Sequence, residues 1–146
     1  TPGHSSAASD VYKRQGDNYE KFSLNYIQKI ISSTYTEGVP VIYYSRSKSN
    51  FDKLKNLDIN CIGISSENNL GDMYKFFDEK FAIQGNLNTD ILKEDKDTIK
   101  KGVIKTLETF PFETGHVFNL GTGITPDIHP DKVSYLVDQV RELSVK

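Results

Sequence analysis

In 146 residues this chain has one cysteine, one methionine and no tryptophan. The single cysteine, Cys61, excludes an internal disulfide and any Cys-x-x-Cys metal site. An excess of either charge is also missing: 18 Lys and Arg stand against 20 Asp and Glu, a formal net charge of -2. So small an imbalance gives no reason to expect nucleic acid or an anionic membrane as a partner. No apolar run approaches the roughly 18 residues that a membrane-spanning helix needs, and no secretory signal pattern is visible. The expectation is a soluble, cytoplasmic protein with enough chain for one domain and a real core.

What is present begins with an anomaly. Asp10-Val11-Tyr12-Lys13-Arg14-Gln15 back-translates to GAT GTG TAT AAG AGA CAG, which resembles the transposon-end adapter of shotgun sequencing libraries. Thr1 to Ser9 is small, polar and aperiodic. Residues 1–15 are therefore set aside as a non-native, adapter-derived tail. Residues 16–146 carry the fold, and an N-terminal part of the gene is expected beyond the cut.

From Asn18 the pattern is helical. Tyr19, Phe22, Tyr26, Ile27, Ile30 and Ile31 fall at three- and four-residue steps, which predicts one apolar stripe facing a core. Glu37-Gly38 ends that helix, and Val39 to Tyr44 reads as a buried strand. Polar Ser45 to Asn50 leads to a short helix bearing Phe51, Leu54 and Leu57. The cycle then repeats. Cys61 to Ile64 reads as a strand, Ser65 to Asn69 as a loop and Leu70 to Phe77 as a helix. Phe81 to Gln84 reads as the third strand and Gly85 to Thr89 as its loop. A helix from about Asp97 to Phe110 follows, with Asp97 as its N-cap. His116 to Leu120 is the fourth strand. Pro130 opens a last helix whose inward residues are Val133, Leu136, Val137, Val140 and Leu143. His116 reads as a packed or exposed strand residue rather than a catalytic one, His129 as a helix cap or solvent-facing side chain, and Cys61 as a small buried hydrophobe. The tyrosines and phenylalanines at helical spacing read as core rather than as a stacking platform for nucleic acid.

Four strand–helix alternations with short connections predict an α/β fold of parallel strands joined by right-handed crossovers. An open doubly wound sheet and part of a (β/α)8 barrel both fit. The 131 residues that follow the tail (146 minus 15) fall well short of the ~250 of a whole barrel, and the pattern alone leans to the open sheet. The fourth strand ends on Gly121-Thr122-Gly123, where two glycines free the backbone, and Pro126 keeps the chain from helix until Pro130. The remaining strand-end segments, Ser45 to Asn50, Ser65 to Asn69 and Gly85 to Thr89, hold few acids or bases. Arg46, Lys48 and Glu67 stand out among them, with the hydroxyls of Ser45, Ser65, Thr122 and Thr125.

Two of these blocks carry a family resemblance. Asn119-Leu120-Gly121-Thr122-Gly123, followed by Pro126-Asp127, resembles the last-strand signature Asn-Leu-Gly-His-Gly of uroporphyrinogen decarboxylases. Ala82-Ile83-Gln84-Gly85-Asn86-Leu87 resembles that family's Leu-Gln-Gly-Asn-Leu-Asp segment, in the same order and spacing. The resemblance reverses the architectural lean: it implies the C-terminal half, strands 5–8, of a (β/α)8 TIM barrel. It also implies removal of four acetate carboxyls from a tetrapyrrole, uroporphyrinogen, with no metal or organic cofactor, by a homodimeric parent.

That chemistry needs an acid, cations for the leaving carboxylate and an anion facing the pyrrole N–H groups. The family's aspartate and arginine pair belong to the N-terminal half, so no catalytic residue is assigned here and the chain alone is expected to be inactive. The substrate-binding residues the resemblance implies are Thr122, Gly121, Gly123 and Arg46. Thr122 replaces the family's substrate-binding histidine with a neutral hydroxyl. Ser65-Ser66 stands where the family often has Asp-Trp, whereas Arg46 keeps a cation where a lysine is common. Two rival functions remain at this point. One is a corrinoid-dependent methyltransferase of shared ancestry, which would need a zinc site through histidine and cysteine. The other is a diverged, non-catalytic porphyrin-binding barrel. Four strands taken from an eight-stranded closure would leave unpaired edges and an uncovered inner face, so the isolated chain is expected to aggregate or stay molten.

Overall fold

The computed structural model describes residues 19–34, 36–45, 50–110 and 115–144. The chain divides into two compact units between Gly63 and Ile64. The adapter-derived tail expected over residues 1–15 lies outside the described residues.

Among the described residues of the first unit, a π-helical turn, Glu20–Leu24, runs into α1, Asn25–Thr34. The Asn25 N–H donates to the Glu20 carbonyl five residues back, the bond that defines a π-turn. That wider turn changes the phase of the helix and corrects the expected single stripe. Tyr19, Leu24 and Ile31 are buried, whereas Phe22, Tyr26 and Ile30 are 45%, 58% and 58% exposed. Strand β1 is Ile42–Tyr44, shorter than the six residues expected, and Ile42 is itself exposed. It pairs in parallel with β2, Cys61–Gly63, in the register Ile42↔Cys61 and Tyr44↔Gly63. Between them α2, Phe51–Leu54, is a single turn that drives Leu54 into the interior, with Leu57 buried just after it. Cys61 is buried, as its small apolar side chain suggested.

The second unit starts at Ile64, whose N–H donates to the Gln84 carbonyl at 2.9 Å. Helix α3, Leu70–Phe76, is capped by Asn69, whose side-chain oxygen accepts from Asp72 N at 3.0 Å. Strand β3 is Ala82–Leu87, so Gly85, Asn86 and Leu87 lie in a strand and not in the loop expected there. The reason is pairing. β4, His116–Leu120, runs parallel to β3 from Ile83↔His116 to Leu87↔Leu120 and holds the extended backbone past the glycine. Gly85 has φ +143°, and a Cβ there would meet the Ile64 carbonyl oxygen at 2.9 Å. Only glycine fits both conditions.

A 3-10 helix, Thr89–Lys93, follows β3, an element the hydrophobic pattern does not mark. Helix α4 is Lys96–Glu108, and its cap is Asp95 rather than Asp97: the Asp95 carboxylate accepts from Thr98 N at 2.8 Å. The three-residue reach from cap to N–H selects Asp95 and leaves Asp97 in the first turn. Helix α5, Pro130–Leu143, begins on the expected proline and is capped by His129, whose Nδ1 accepts from Asp131 N. Of its five expected inward residues only Leu136 is buried. Val133, Val140 and Leu143 are half-buried and Val137 is exposed. Leu136 joins Leu87, Leu92, Ile99, Val103 and Ile128 in the core of this unit. Each such side chain contributes about 1.5–3 kcal/mol by leaving water.

Alternation along β3 and β4 sorts the strand residues by face. Gln84 and Asn86 share one face with their register partners Val117 and Asn119. His116 and Phe118 lie on the other face. The His116 ring stacks on Phe110 at 5.1 Å and 29°, and its Nε2–H donates to the Gly85 carbonyl at 2.8 Å. This histidine is a packing residue.

Candidate functional site: the strand-end loops of the second unit

Three loops follow the carboxyl ends of strands in the second unit: residues 64–69, 88–95 and 121–129. Asn86, near the end of β3, ties the first of them down. Its Nδ2 donates to the Ser65 carbonyl at 2.9 Å and to the Asn68 carbonyl at 2.7 Å. The loop adds its own bonds, Asn68 Nδ2 to Ser65 Oγ at 3.2 Å and Asn68 N to Ser65 O at 3.3 Å.

Gly121 joins the loop after β4 to the others. Its N–H donates to the Leu87 carbonyl at 2.8 Å. A Cβ on Gly121 would stand 2.5 Å from Ser66 N and 3.0 Å from Ser66 Cα. Glycine is needed here for close approach of two backbones, not for a left-handed conformation. Gly123 differs: nothing lies within 4 Å of a Cβ built on it, and its φ is outside the positive region. The sequence expectation that both glycines serve to free the backbone is therefore corrected at both positions.

Thr122 is exposed, and its hydroxyl is engaged. Thr89, buried beneath it, donates its hydroxyl proton to the Thr122 carbonyl at 2.9 Å. Thr122 in turn donates to Thr89 Oγ1, also at 2.9 Å. With its one proton spent, the Thr122 hydroxyl faces outward only with lone pairs. Sequence reasoning missed Thr89 because its role depends on a partner 33 residues away.

The charges of these loops are mostly paired or acidic. Residues 64–69, 88–95 and 121–129 contain one lysine and no arginine, against Glu67, Asp90, Glu94, Asp95 and Asp127. The lysine, Lys93, bridges Asp90 at 3.1 Å and Asp127 at 3.2 Å, and those two carboxylates raise its pKa. The Thr125 hydroxyl, with the backbone and Lys93, holds Asp127 below the usual carboxylate range. Arg46 and Lys48, the strand-end cations singled out in the sequence, lie outside the described residues.

Among the described residues, no group of three or more His, Cys, Asp or Glu side chains converges as a metal site would. A cleft of about 370 Å³ between β4 and α5 is lined by apolar side chains including Phe118, Leu120, Val133 and Val137, with Arg141 at its edge. It contains none of the loop hydroxyls. No helix among the described residues is long and apolar enough to cross a membrane.

Among solved structures the chain is similar to a methyltransferase from Methanosarcina mazei, with a TM-score of 0.71 over 88% of this chain and 38% of that one. At 18% identity the likeness speaks for the fold alone. The fold class is α/β, the C-terminal half of a (β/α)8 barrel. Among curated proteins it is 32% identical over 133 residues to a uroporphyrinogen decarboxylase from Pseudomonas putida, and 32% identical over 130 residues to one from Legionella pneumophila. The alignments cover 88% and 87% of this chain but only 38% and 37% of those relatives, so the chain spans little more than a third of their length. The uroporphyrinogen decarboxylase family model matches residues 15–143. On that match, joined to the two motif blocks that form β3, β4 and the Gly121 turn, the chain belongs to the uroporphyrinogen decarboxylase family.

Proposed function

We propose that this chain is the C-terminal part of a cytoplasmic, homodimeric carboxy-lyase that converts uroporphyrinogen III to coproporphyrinogen III. Four acetate carboxyls leave as CO₂, and the chain supplies one wall of the substrate pocket. The observation that carries this reading is the interlocking of three strand-end loops through Asn86, Gly121 and the Thr89–Thr122 pair. A preformed rim at the carboxyl ends of parallel strands is where barrel enzymes bind substrate.

On this reading the chain binds and orients but does not carry the chemistry. Loss of CO₂ from an acetate arm needs a proton delivered to the attached pyrrole and an anion to stabilise the cation that results. Thr122 offers neither a charge nor a free proton, and Lys93 is bound to two carboxylates. Those groups are assigned to the part of the protein that precedes this chain. Arg46 is proposed as a contact for substrate carboxylates, through a bidentate guanidinium. Gly121, Thr122 and Gly123 are proposed as the backbone edge of the pocket.

The same commitment of the Thr122 proton favours a second reading, a family member that binds tetrapyrroles without turning them over. One experiment separates the two. The full-length protein is incubated anaerobically with uroporphyrinogen III, and the oxidised products are separated by chromatography. Stepwise loss of carboxylates supports the decarboxylase, and unaltered substrate with measurable binding supports the second reading. A full-length protein that neither turns over nor binds uroporphyrinogen would overturn both readings. The chain on its own should show no turnover.

A further inference from the structure

Asn86 is nearly buried, at 8% exposure, and its amide is only half used. Both Nδ2 hydrogens are taken by the Ser65 and Asn68 carbonyls. Turning the amide over would set Oδ1 against two carbonyl oxygens, so the hydrogen-bond chemistry fixes its orientation. The Oδ1 atom has no hydrogen-bond partner among the described residues. It is not sealed from solvent either, because Gln139 Oε1 is the sole sealed, unpaired side-chain oxygen or nitrogen among them. Asn119, the register partner of Asn86, shows the contrast: its Oδ1 is satisfied by Leu120 N at 2.8 Å.

We infer that Asn86 Oδ1 is a fixed hydrogen-bond acceptor that reads an N–H donor on the ligand. An amide carbonyl held in one orientation at the carboxyl end of a strand repels a carboxylate and accepts from N–H or O–H. The Thr122 hydroxyl, its proton given to Thr89, has the same polarity. This part of the rim therefore faces the donor-bearing centre of a ligand rather than its acidic arms. The identity of the donor rests on the tetrapyrrole reading above, which makes it a pyrrole N–H. Asn86 is then a specificity-determining contact as well as the clamp of residues 65–68.

The test compares two ligands with the same eight carboxylates in the full-length protein. Uroporphyrinogen can turn its pyrrole N–H groups toward one side, whereas in oxidised, flat uroporphyrin they are sheltered at the ring centre. Affinity for uroporphyrin is read from its fluorescence anisotropy, and for uroporphyrinogen by anaerobic displacement. Asn86→Leu should weaken uroporphyrinogen roughly three- to tenfold, the worth of one hydrogen bond, and leave uroporphyrin within about twofold. Asn86→Asp, which keeps an acceptor but gives up the clamp, should retain the wild-type preference for uroporphyrinogen. Equal weakening of both ligands by Asn86→Leu would reduce Asn86 to a loop clamp and overturn the inference. If Asn86→Leu does not fold, loss of the preference in Asn86→Asp overturns it instead. Failure of the wild type to bind either ligand would overturn the tetrapyrrole reading itself, whereas binding with an unchanged preference in Asn86→Leu sinks only the role of Asn86.

Discussion

Two glycines that look alike in the sequence should respond oppositely to the same substitution. In Gly121→Ala the new methyl would sit 2.5 Å from Ser66 N, 2.8 Å from Ser66 Cβ and 3.0 Å from Ser66 Cα. Two of these obstacles are backbone, which cannot swing aside as a side chain can. Overpacking of this kind costs about 1–3 kcal/mol, and parting the two loops also strains the Gly121–Leu87 hydrogen bond of 2.8 Å. In Gly123→Ala the methyl meets nothing within 4 Å at a φ that alanine tolerates. Loss of glycine's freedom in the unfolded chain then stabilises by about 0.4–1 kcal/mol. The two variants should differ by about 1.4–4 kcal/mol. With a urea m-value of about 2 kcal/mol/M, that is a gap of roughly 0.7–2 M between their unfolding midpoints, measured in the full-length protein by circular dichroism. On the decarboxylase reading, Gly121→Ala should also lose kcat/KM, because Gly121 closes one loop against another. Equal midpoints, or greater damage at Gly123, would refute the close-approach account of Gly121.

Cys61 is buried, and desolvation pushes its thiol up to about 11. The native protein should resist Ellman's reagent at pH 8 and react only when unfolded, and rapid native labelling would contradict its burial. Desolvation lowers the His116 pKa, with the Gly85 carbonyl opposing in part. Its contribution to stability is therefore full above the ordinary value near 6.5 and is lost as pH falls through the lowered folded value. Urea midpoints from pH 7.5 to 5 should fall, and His116→Phe should flatten that slope. Gln139 Oε1 is sealed without a partner among the described residues. Gln139→Leu should stabilise by about 1 kcal/mol in thermal unfolding, and destabilisation would reveal a partner. The isolated chain exposes Phe22, Tyr26, Ile30 and Ile42 in its first unit and Val117, Ile124 and Val137 in its second. It should bind anilinonaphthalene sulfonate and self-associate, and a sharp, cooperative melt from a soluble monomer would contradict this.

Much of the fold was legible because burial imposes a period. β4 and α5 started where the glycines and Pro130 placed them, since local chemistry alone decides such boundaries. The first helix was misread where a π-turn altered the period, which left Phe22 and Tyr26 outside. β3 was cut short at Gly85, because glycine reads as a breaker until a neighbouring strand is known to pair past it. The candidate site was legible in part. Its glycine turn and Thr122 stand out in the sequence, but Thr89 and Asn86 act through partners 33, 21 and 18 residues away.

The sequence by itself determined the α/β class, the parallel order of strand and helix, the family motifs and the absence of a strong charge. Each of these is written in nearest neighbours, residue type or short-range period. Tertiary structure decided which of two similar glycines is indispensable, where the Thr122 proton goes and which way the Asn86 amide faces. Hydrogen-bond direction and steric contact are properties of pairs brought together across the chain, and no reading of one segment contains its partner.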